Sequence, residues 1–163
     1  MPTSFPEQIP KIIQTVNKLQ PKSILDIGCG NGKYGFLLKE YFPEITIDAI
    51  EVFEPYIKKA HKENYRNITI GNALEAEVKP YDLYMIIDVL EHWQKEPAMA
   101  LLRKLVEHGK VLVSTPRSVA PQGAEYGNQW ETHVTQWLES DWDEFQREGI
   151  HDEFAFIQLL SKK

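Results

Sequence analysis

The stretch Ser23-Ile24-Leu25-Asp26-Ile27-Gly28-Cys29-Gly30-Asn31-Gly32-Lys33-Tyr34-Gly35 decides how this chain is read. An apolar run of strand character stops in a set of glycines, and a helical pattern begins directly after them. Glycine serves where the backbone must turn sharply or approach a ligand with no Cβ in the way. A strand, a glycine-rich turn and a helix N-terminus together present free N–H groups and a positive dipole end to an anionic ligand group. Two phosphate-binding readings can be tested on the residues themselves. A Walker loop requires Gly-Lys followed by Ser or Thr, whereas Gly32-Lys33 is followed by Tyr34. A dinucleotide fingerprint, which would make the chain a nicotinamide-dependent oxidoreductase, is matched as G-x-G-x-x-G by residues 30–35. Its register is poor. The first glycine of that motif ends the strand, and Gly28 already holds that place, from which the pattern would need glycine at Lys33.

Outward from the turn, strand and helix alternate. Residues 7–19 carry Ile9, Ile12, Ile13, Val16 and Leu19 at helical spacing, and Pro21 stops them. Strands are expected at 23–27, 45–52, 67–70, 81–89 and 110–115. Helices are expected at 32–41, packing through Phe36, Leu37, Leu38 and Tyr41, at 55–64, and at 97–108 with Ala100, Leu101, Leu102 and Leu105 inward. Short connections in this alternation imply an α/β fold, a doubly wound, mostly parallel sheet flanked by helices. Beyond Pro116 the pattern changes to a polar loop over 117–129, a helix near 140–148 and a final strand at 153–160. No repeat or linker interrupts the chain, so one domain over 1–163 is expected, with 1–116 as the ligand-binding core and 117–163 as loop, helix and terminal strand.

The turn also reads as Asp26-x-Gly28-x-Gly30-x-Gly32. In this form it resembles the first motif of the class I S-adenosylmethionine-dependent methyltransferases. The residue types suit that cofactor, whose methionine end carries an ammonium and a carboxylate but no pyrophosphate. The resemblance implies that Asp26, Gly28, Cys29, Gly30 and Gly32 hold the methionine end. Glu51, at the end of the second strand, would accept the ribose hydroxyls, with Val52 and Phe53 beside the adenine; Phe53 can equally be a core residue. Gly71-Asn72-Ala73 is similar to the family's usual Gly-Asp-Ala, and the Asn72 amide oxygen can still accept from the adenine amino group. Asp88-Val89-Leu90-Glu91-His92 looks like the Asp-x-x-Glu-His form of the fourth motif, common in enzymes that methylate small molecules, with Asp88, Val89 and Leu90 against the cofactor. It is neither the Asn/Asp-Pro-Pro-Tyr signature of adenine methylation in DNA nor the Pro-Cys of cytosine-C5 enzymes. The family fold finishes on two antiparallel strands. Here the C-terminus reads as shortened, with one clear antiparallel strand and a stunted or missing partner.

The resemblance implies S-adenosylmethionine as cofactor and a small molecule as acceptor. Methyl transfer from a sulfonium needs chiefly placement of the acceptor at near-attack distance. A general base enters only if the acceptor must lose a proton, and histidine has the fitting pKa. His92, after the fourth motif, and His133, after the long loop, are the candidates; a helix cap and a surface histidine are their structural alternatives. His61, His108 and His151 read as solvated. Asp88, Glu91 and His92 also resemble a divalent-ion set in some quinone-type O-methyltransferases of the family. Three adjacent polar groups after a strand more often serve as cofactor contacts and caps, so no metal is assigned. Among the four tryptophans, Trp130 is the candidate for the acceptor pocket. A cofactor-binding subunit without catalysis is the alternative function, motivated by the short C-terminus.

Composition bounds the partners. The 163 residues, 42% apolar, are those of a globular protein, and a net charge of −6 disfavours a nucleic-acid polyanion. Cys29 is the only cysteine, which excludes an internal disulfide and points to a reducing compartment. With no apolar run of membrane-span length and no basic-then-apolar leader at the N-terminus, a cytoplasmic location is expected. The acceptor site would be built from the N-terminal helix, the 117–129 loop and residues 130–137, or completed by a second subunit in a homodimer.

Overall fold

The glycine turn sits where the sheet order reverses. A computed structural model of the chain describes residues 4–118 and 120–163, so the leader reading at residues 1–3 and Val119 of the long loop lie outside the described residues. The strands β1 (Ser23–Ile27), β2 (Thr46–Glu51), β3 (Asn67–Ile70), β4 (Leu83–Ile87), β5 (Lys110–Pro116), β6 (Gln146–Ile150) and β7 (Ala155–Ser161) form one sheet. Their order is β3-β2-β1-β4-β5-β7-β6. Pairing is parallel from β3 to β5 and antiparallel for β5–β7 and β7–β6. Because β1 leads to β2 on one side and β4 lies on the other, a crevice opens beyond the C-terminal ends of β1 and β4, where open α/β sheets take their ligands.

Alternation along each central strand divides the core between the two faces. On one face Leu25, Ile27, Tyr84 and Ile86 pack with Leu101, Leu102 and Leu105 of α4 (Lys95–Leu105) and with Trp137 and Trp142. On the other, Ile24, Leu83 and Met85 pack with Ile12 and Val16 of α1 (Ile9–Leu19) and with Tyr34 and Leu38 of α2 (Lys33–Tyr41). The expected packing face of α2 is rotated. Leu38 is fully buried, but Phe36 and Tyr41 are 56% and 63% exposed, because Tyr34, Gly35 and Leu38 occupy the inward phase. The helix expected at 55–64 is a single 3₁₀ turn, Glu54–Tyr56, followed by α3 (Lys59–Asn64).

The C-terminus departs most from expectation. In place of a helix near 140–148 the chain makes one 3₁₀ turn, Glu139–Trp142, and then β6, which pairs with β7 over five registered residues. The strand partner expected to be stunted or missing is therefore present. Its residues Gln146, Arg147, Glu148 and Gly149 are exposed and carry no apolar alternation, as suits an edge strand protected by charge. Asp152 closes the β6–β7 turn, accepting from Phe154 and Ala155 N–H at 2.8 and 2.9 Å and from Lys11 Nζ at 2.6 Å. That ion pair ties the hairpin to α1. No helix among the described residues is long and apolar enough to cross a membrane.

Candidate functional site

Beyond the switch point lies a cavity of about 480 Å³, lined from the ends of β1, β2, β3, β4 and β5, from Ser4 and Phe5, and from the loop between β5 and β6. That is the volume range of small-ligand sites.

The turn after β1 forms its floor. Gly28, Gly30 and Gly32 have φ of 74°, 54° and 76°, a region that side-chain-bearing residues occupy at a cost of about 1–2 kcal/mol. A Cβ on Gly28 would stand 2.5 Å from Val89 Cγ2, whereas one at Gly30 would meet nothing within 4 Å among the described residues. Gly32 does not line the cavity. A Cβ at Gly32 would stand 2.4 Å from the His61 ring, so this glycine makes room for a neighbour instead of a ligand. His61, expected to be solvated, is only 5% exposed as a result, and burial lowers its pKa. His108 and His151 are exposed.

Asp26 is 3% exposed and lines the cavity. Burial pushes its carboxyl up to about 6, against the opposing effect of Tyr65, whose hydroxyl donates to Oδ2 at 2.6 Å. Tyr65 in turn accepts from Gly35 N–H at 3.1 Å, locking the turn's carboxylate to the start of α2. Glu51 is held by the backbone, with Gly30 N–H donating to Oε2 and Phe53 N–H to Oε1, both at 2.8 Å. Burial nevertheless raises its pKa. Each Glu51 oxygen keeps a second lone pair for a ligand hydroxyl. Val52, Asn72, Ala73 and Cys29 also line the cavity; Phe53 does not. Asn72 Oδ1 accepts from Leu74 N–H at 3.1 Å, which fixes its side chain. Cys29 is buried, and burial raises its thiol pKa, consistent with a wall position and not a nucleophile.

Along β4 the motif splits by role. Asp88 and Val89 line the cavity, but Leu90 is fully buried in the core and its carbonyl accepts from Trp137 Nε1–H at 2.9 Å. The phase of the 3₁₀ turn Leu90–His92 points Leu90 inward. Asp88 takes a left-handed φ of 54°, and its oxygens accept from Gln8 Nε2 at 2.6 Å and the Ser114 hydroxyl at 2.9 Å. Burial raises its pKa. Glu91 is 4% exposed, with the Thr115 hydroxyl donating to Oε2 at 3.0 Å. Burial, and then the charge of Asp88, hold its pKa well above the usual carboxylate value.

The long loop is folded over the crevice by main-chain contacts. The Glu91 carbonyl accepts from Val134 and Thr135 N–H at 2.9 and 3.1 Å. This brings His133 to His92, ring centroids 4.8 Å apart at 67°. Both histidines line the cavity, and burial lowers the His92 pKa. Trp130 lines the mouth at 42% exposure. Across it, Tyr56 donates to Glu131 Oε1 at 2.8 Å, joining the segment after β2 to the loop. Tyr65, Tyr56, Glu131 and Gln8 carry no motif, and their positions depend on contacts between segments 39 to 80 residues apart.

The pattern of a family described as "Methyltransferase domain" matches residues 25–110. The chain is 29% identical over 165 residues to a ubiquinone biosynthesis O-methyltransferase from Alkalilimnicola ehrlichii, covering 92% of this chain and 65% of that protein. It is 26% identical over 99 residues to a tRNA U34 carboxymethyltransferase from Helicobacter pylori, of which it spans 38%. Among solved structures, magnesium protoporphyrin IX methyltransferase from Synechocystis with bound SAH superposes with a TM-score of 0.69 at 15% identity, covering 96% of this chain and 82% of that one.

Proposed function

Because this chain belongs to the methyltransferase-domain family, we propose that it binds S-adenosylmethionine in the crevice beyond β1, β2 and β4 and methylates a small molecule. One observation carries the reading: Asp26 and Glu51, two buried carboxylates at adjacent strand ends, bracket the glycine turn in a single cavity. The first suits the ammonium of the methionine end and the second the ribose hydroxyls. The cradle fits such a ligand in two further respects. Gly30 leaves the space above the turn clear, and Asn31 Nδ2, on the cavity wall, is buried without a hydrogen-bond partner among the described residues, a cost a bound acceptor group would remove.

The sulfonium supplies a methyl group with a good leaving group, so the chain's own residues need chiefly to place the acceptor. Trp130 and Phe5 offer apolar wall, and Glu131, Gln122 and Asn128 offer polar edges. His92 and His133 are positioned to take a proton from an acceptor that must lose one. Carboxylates Asp88 and Glu131 on the cavity wall disfavour a polyanion. The relative named for ubiquinone biosynthesis and O-methyl transfer favours a small acceptor, whereas those named for tRNA U34 make RNA the competing one.

The test is incubation of the purified chain with methyl-labelled S-adenosylmethionine and either a low-molecular-weight metabolite extract or total RNA. Label in the small-molecule fraction is expected. Label in RNA would replace the acceptor class, and no transfer despite cofactor binding would favour a non-catalytic binding subunit.

A further inference from the structure

We propose that Trp130, Glu131 and Gln122 form a saccharide-binding subsite at the mouth of the cavity, and that the methyl acceptor is a hydroxyl of a neutral sugar residue. Three observations converge on that chemistry. The first is a free aromatic face. Trp130 is exposed on the cavity wall, and among the described residues no other ring and no cation stacks on its indole. Phe5, the other exposed aromatic ring of the wall, is already stacked on Phe154 with centroids 5.6 Å apart. One open face suits the apolar C–H face of a pyranose, which gains dispersion contact and burial against an indole. A flat aromatic acceptor would instead call for apolar walls on both of its faces.

The second observation is a set of hydrogen-bond acceptors left open beside that ring. Gln122 Nε2 donates to the Glu131 carbonyl at 2.7 Å. A carbonyl can only accept, so this bond fixes which end of the amide is nitrogen. Gln122 Oε1 is then an acceptor without a partner among the described residues. Glu131 Oε1 takes the Tyr56 hydroxyl at 2.8 Å and Asn128 Nδ2 at 3.4 Å, whereas Oε2 has only a long contact of 3.4 Å to Gln122 Nε2. An amide oxygen and a carboxylate oxygen call for a ligand with several donors along one edge, as the hydroxyls of a sugar provide. The third observation is rigidity. The buried Asn128 side chain accepts from Trp130 N–H at 3.0 Å, and its carbonyl accepts from Glu131 N–H at 3.2 Å. That turn holds ring and carboxylate in place before any ligand arrives, which lowers the ordering cost of binding. Asp88 and Glu131 on the same wall disfavour phosphorylated or acidic sugars. The transfer rests on the methyltransferase reading; the saccharide binding does not. In the transfer the sugar oxygen bonds to the methyl carbon as the S–CH₃ bond breaks, the electron pair returns to sulfur in a neutral thioether, and the hydroxyl proton passes to His92 or His133.

The test is saturation-transfer NMR on the full chain, with and without S-adenosylhomocysteine. The probes are neutral methyl hexopyranosides and methyl pentopyranosides, maltotriose, and catechol as a flat aromatic competitor. Signal from the ring protons of at least one saccharide is expected; whether the methyl glycosides or one end of maltotriose responds distinguishes a free sugar from the end of a glycan. Trp130→Ala and Glu131→Gln should each weaken that binding by about tenfold or more. If Glu131→Gln does not fold, Trp130→Ala decides. A wild-type chain that binds no saccharide, binding of catechol alone, or a folded Trp130→Ala chain that binds the saccharide unchanged would overturn the proposal. Calorimetry with S-adenosylhomocysteine on the same samples separates the two readings. Its binding without saccharide binding ends this proposal alone, whereas saccharide binding without it keeps the subsite and removes the cofactor.

Discussion

Tyr65 and Asp26, 39 residues apart, are joined by a 2.6 Å hydrogen bond in which the phenol donates to the carboxylate that precedes the glycine turn. The same phenol accepts from Gly35 N–H. Removing it in Tyr65→Phe leaves a buried carboxylate without that donor and an amide without that acceptor. A stability loss of about 2 kcal/mol is expected, measurable as a lower urea midpoint at unchanged slope. An unaltered midpoint would show that the bond contributes nothing net.

The Asp26 carboxyl, pushed up to about 6 from 3.8 by burial, couples the site to pH. In the ligand-free fold its neutral form is favoured between these values. The folded state thus binds more protons there than the unfolded state, and this group's contribution to stability falls as pH rises through that window, by about 3 kcal/mol in total. A ligand ammonium reverses the preference, because it binds the ionised form and releases the proton. The affinity for S-adenosylhomocysteine should therefore fall by up to tenfold per pH unit below 6 and be flat above it. Calorimetry from pH 7.5 to 5, with Asp26→Asn as the pH-insensitive control, checks this; equal slopes in the two proteins would refute it.

The glycines separate fold from function. Gly28→Ala combines a left-handed φ with a 2.5 Å clash on Val89 and should cost about 2–4 kcal/mol. Gly30→Ala meets no atom of the described residues within 4 Å and should cost only about 1–2 kcal/mol, yet lose cofactor affinity by more than tenfold. Thermal melts and ligand titrations on the pair would settle it, and a Gly30→Ala protein that binds normally would remove the turn from the binding site.

Much of the parallel half was legible because its signals are local. Buried central strands read as continuous apolar runs, and the turn's Asp26-x-Gly28-x-Gly30-x-Gly32 spacing fixes the register of β1 and α2. The antiparallel end was not legible, because β6 is an edge strand of Gln146, Arg147, Glu148 and Gly149 whose pairing is decided by β7 and by the distant Lys11–Asp152 ion pair. Within the site, strand-end residues Asp26, Glu51, Asn72 and Asp88 could be read from the sequence as cavity-facing. Leu90 and Gly32 could not be told from them, since a single turn of rotation and the ring of His61 decide where each points. The convergence of His133 on Glu91 and His92 is set by a main-chain carbonyl, which leaves no trace in residue type.

Two stacked tryptophans offer a test of the core. Trp137 and Trp142 are fully buried, centroids 5.7 Å apart and nearly parallel. Only Trp137 has an Nε1–H partner, the Leu90 carbonyl at 2.9 Å; Trp142 Nε1 has none among the described residues. Trp137→Phe should therefore cost about 1 kcal/mol more than Trp142→Phe in urea unfolding. The reverse order would mean that ring packing, and not the hydrogen bond, sets the cost.

The most direct measurement of the central claim is calorimetric titration of the wild-type chain with S-adenosylhomocysteine, set beside Asp26→Asn and Glu51→Gln. If the two buried carboxylates hold the two ends of the cofactor, the wild type binds one molecule per chain and each variant loses affinity by about tenfold or more, through loss of a charge-assisted hydrogen bond. Absence of binding by the folded wild-type chain, or variants that bind as tightly as it does, would contradict the account.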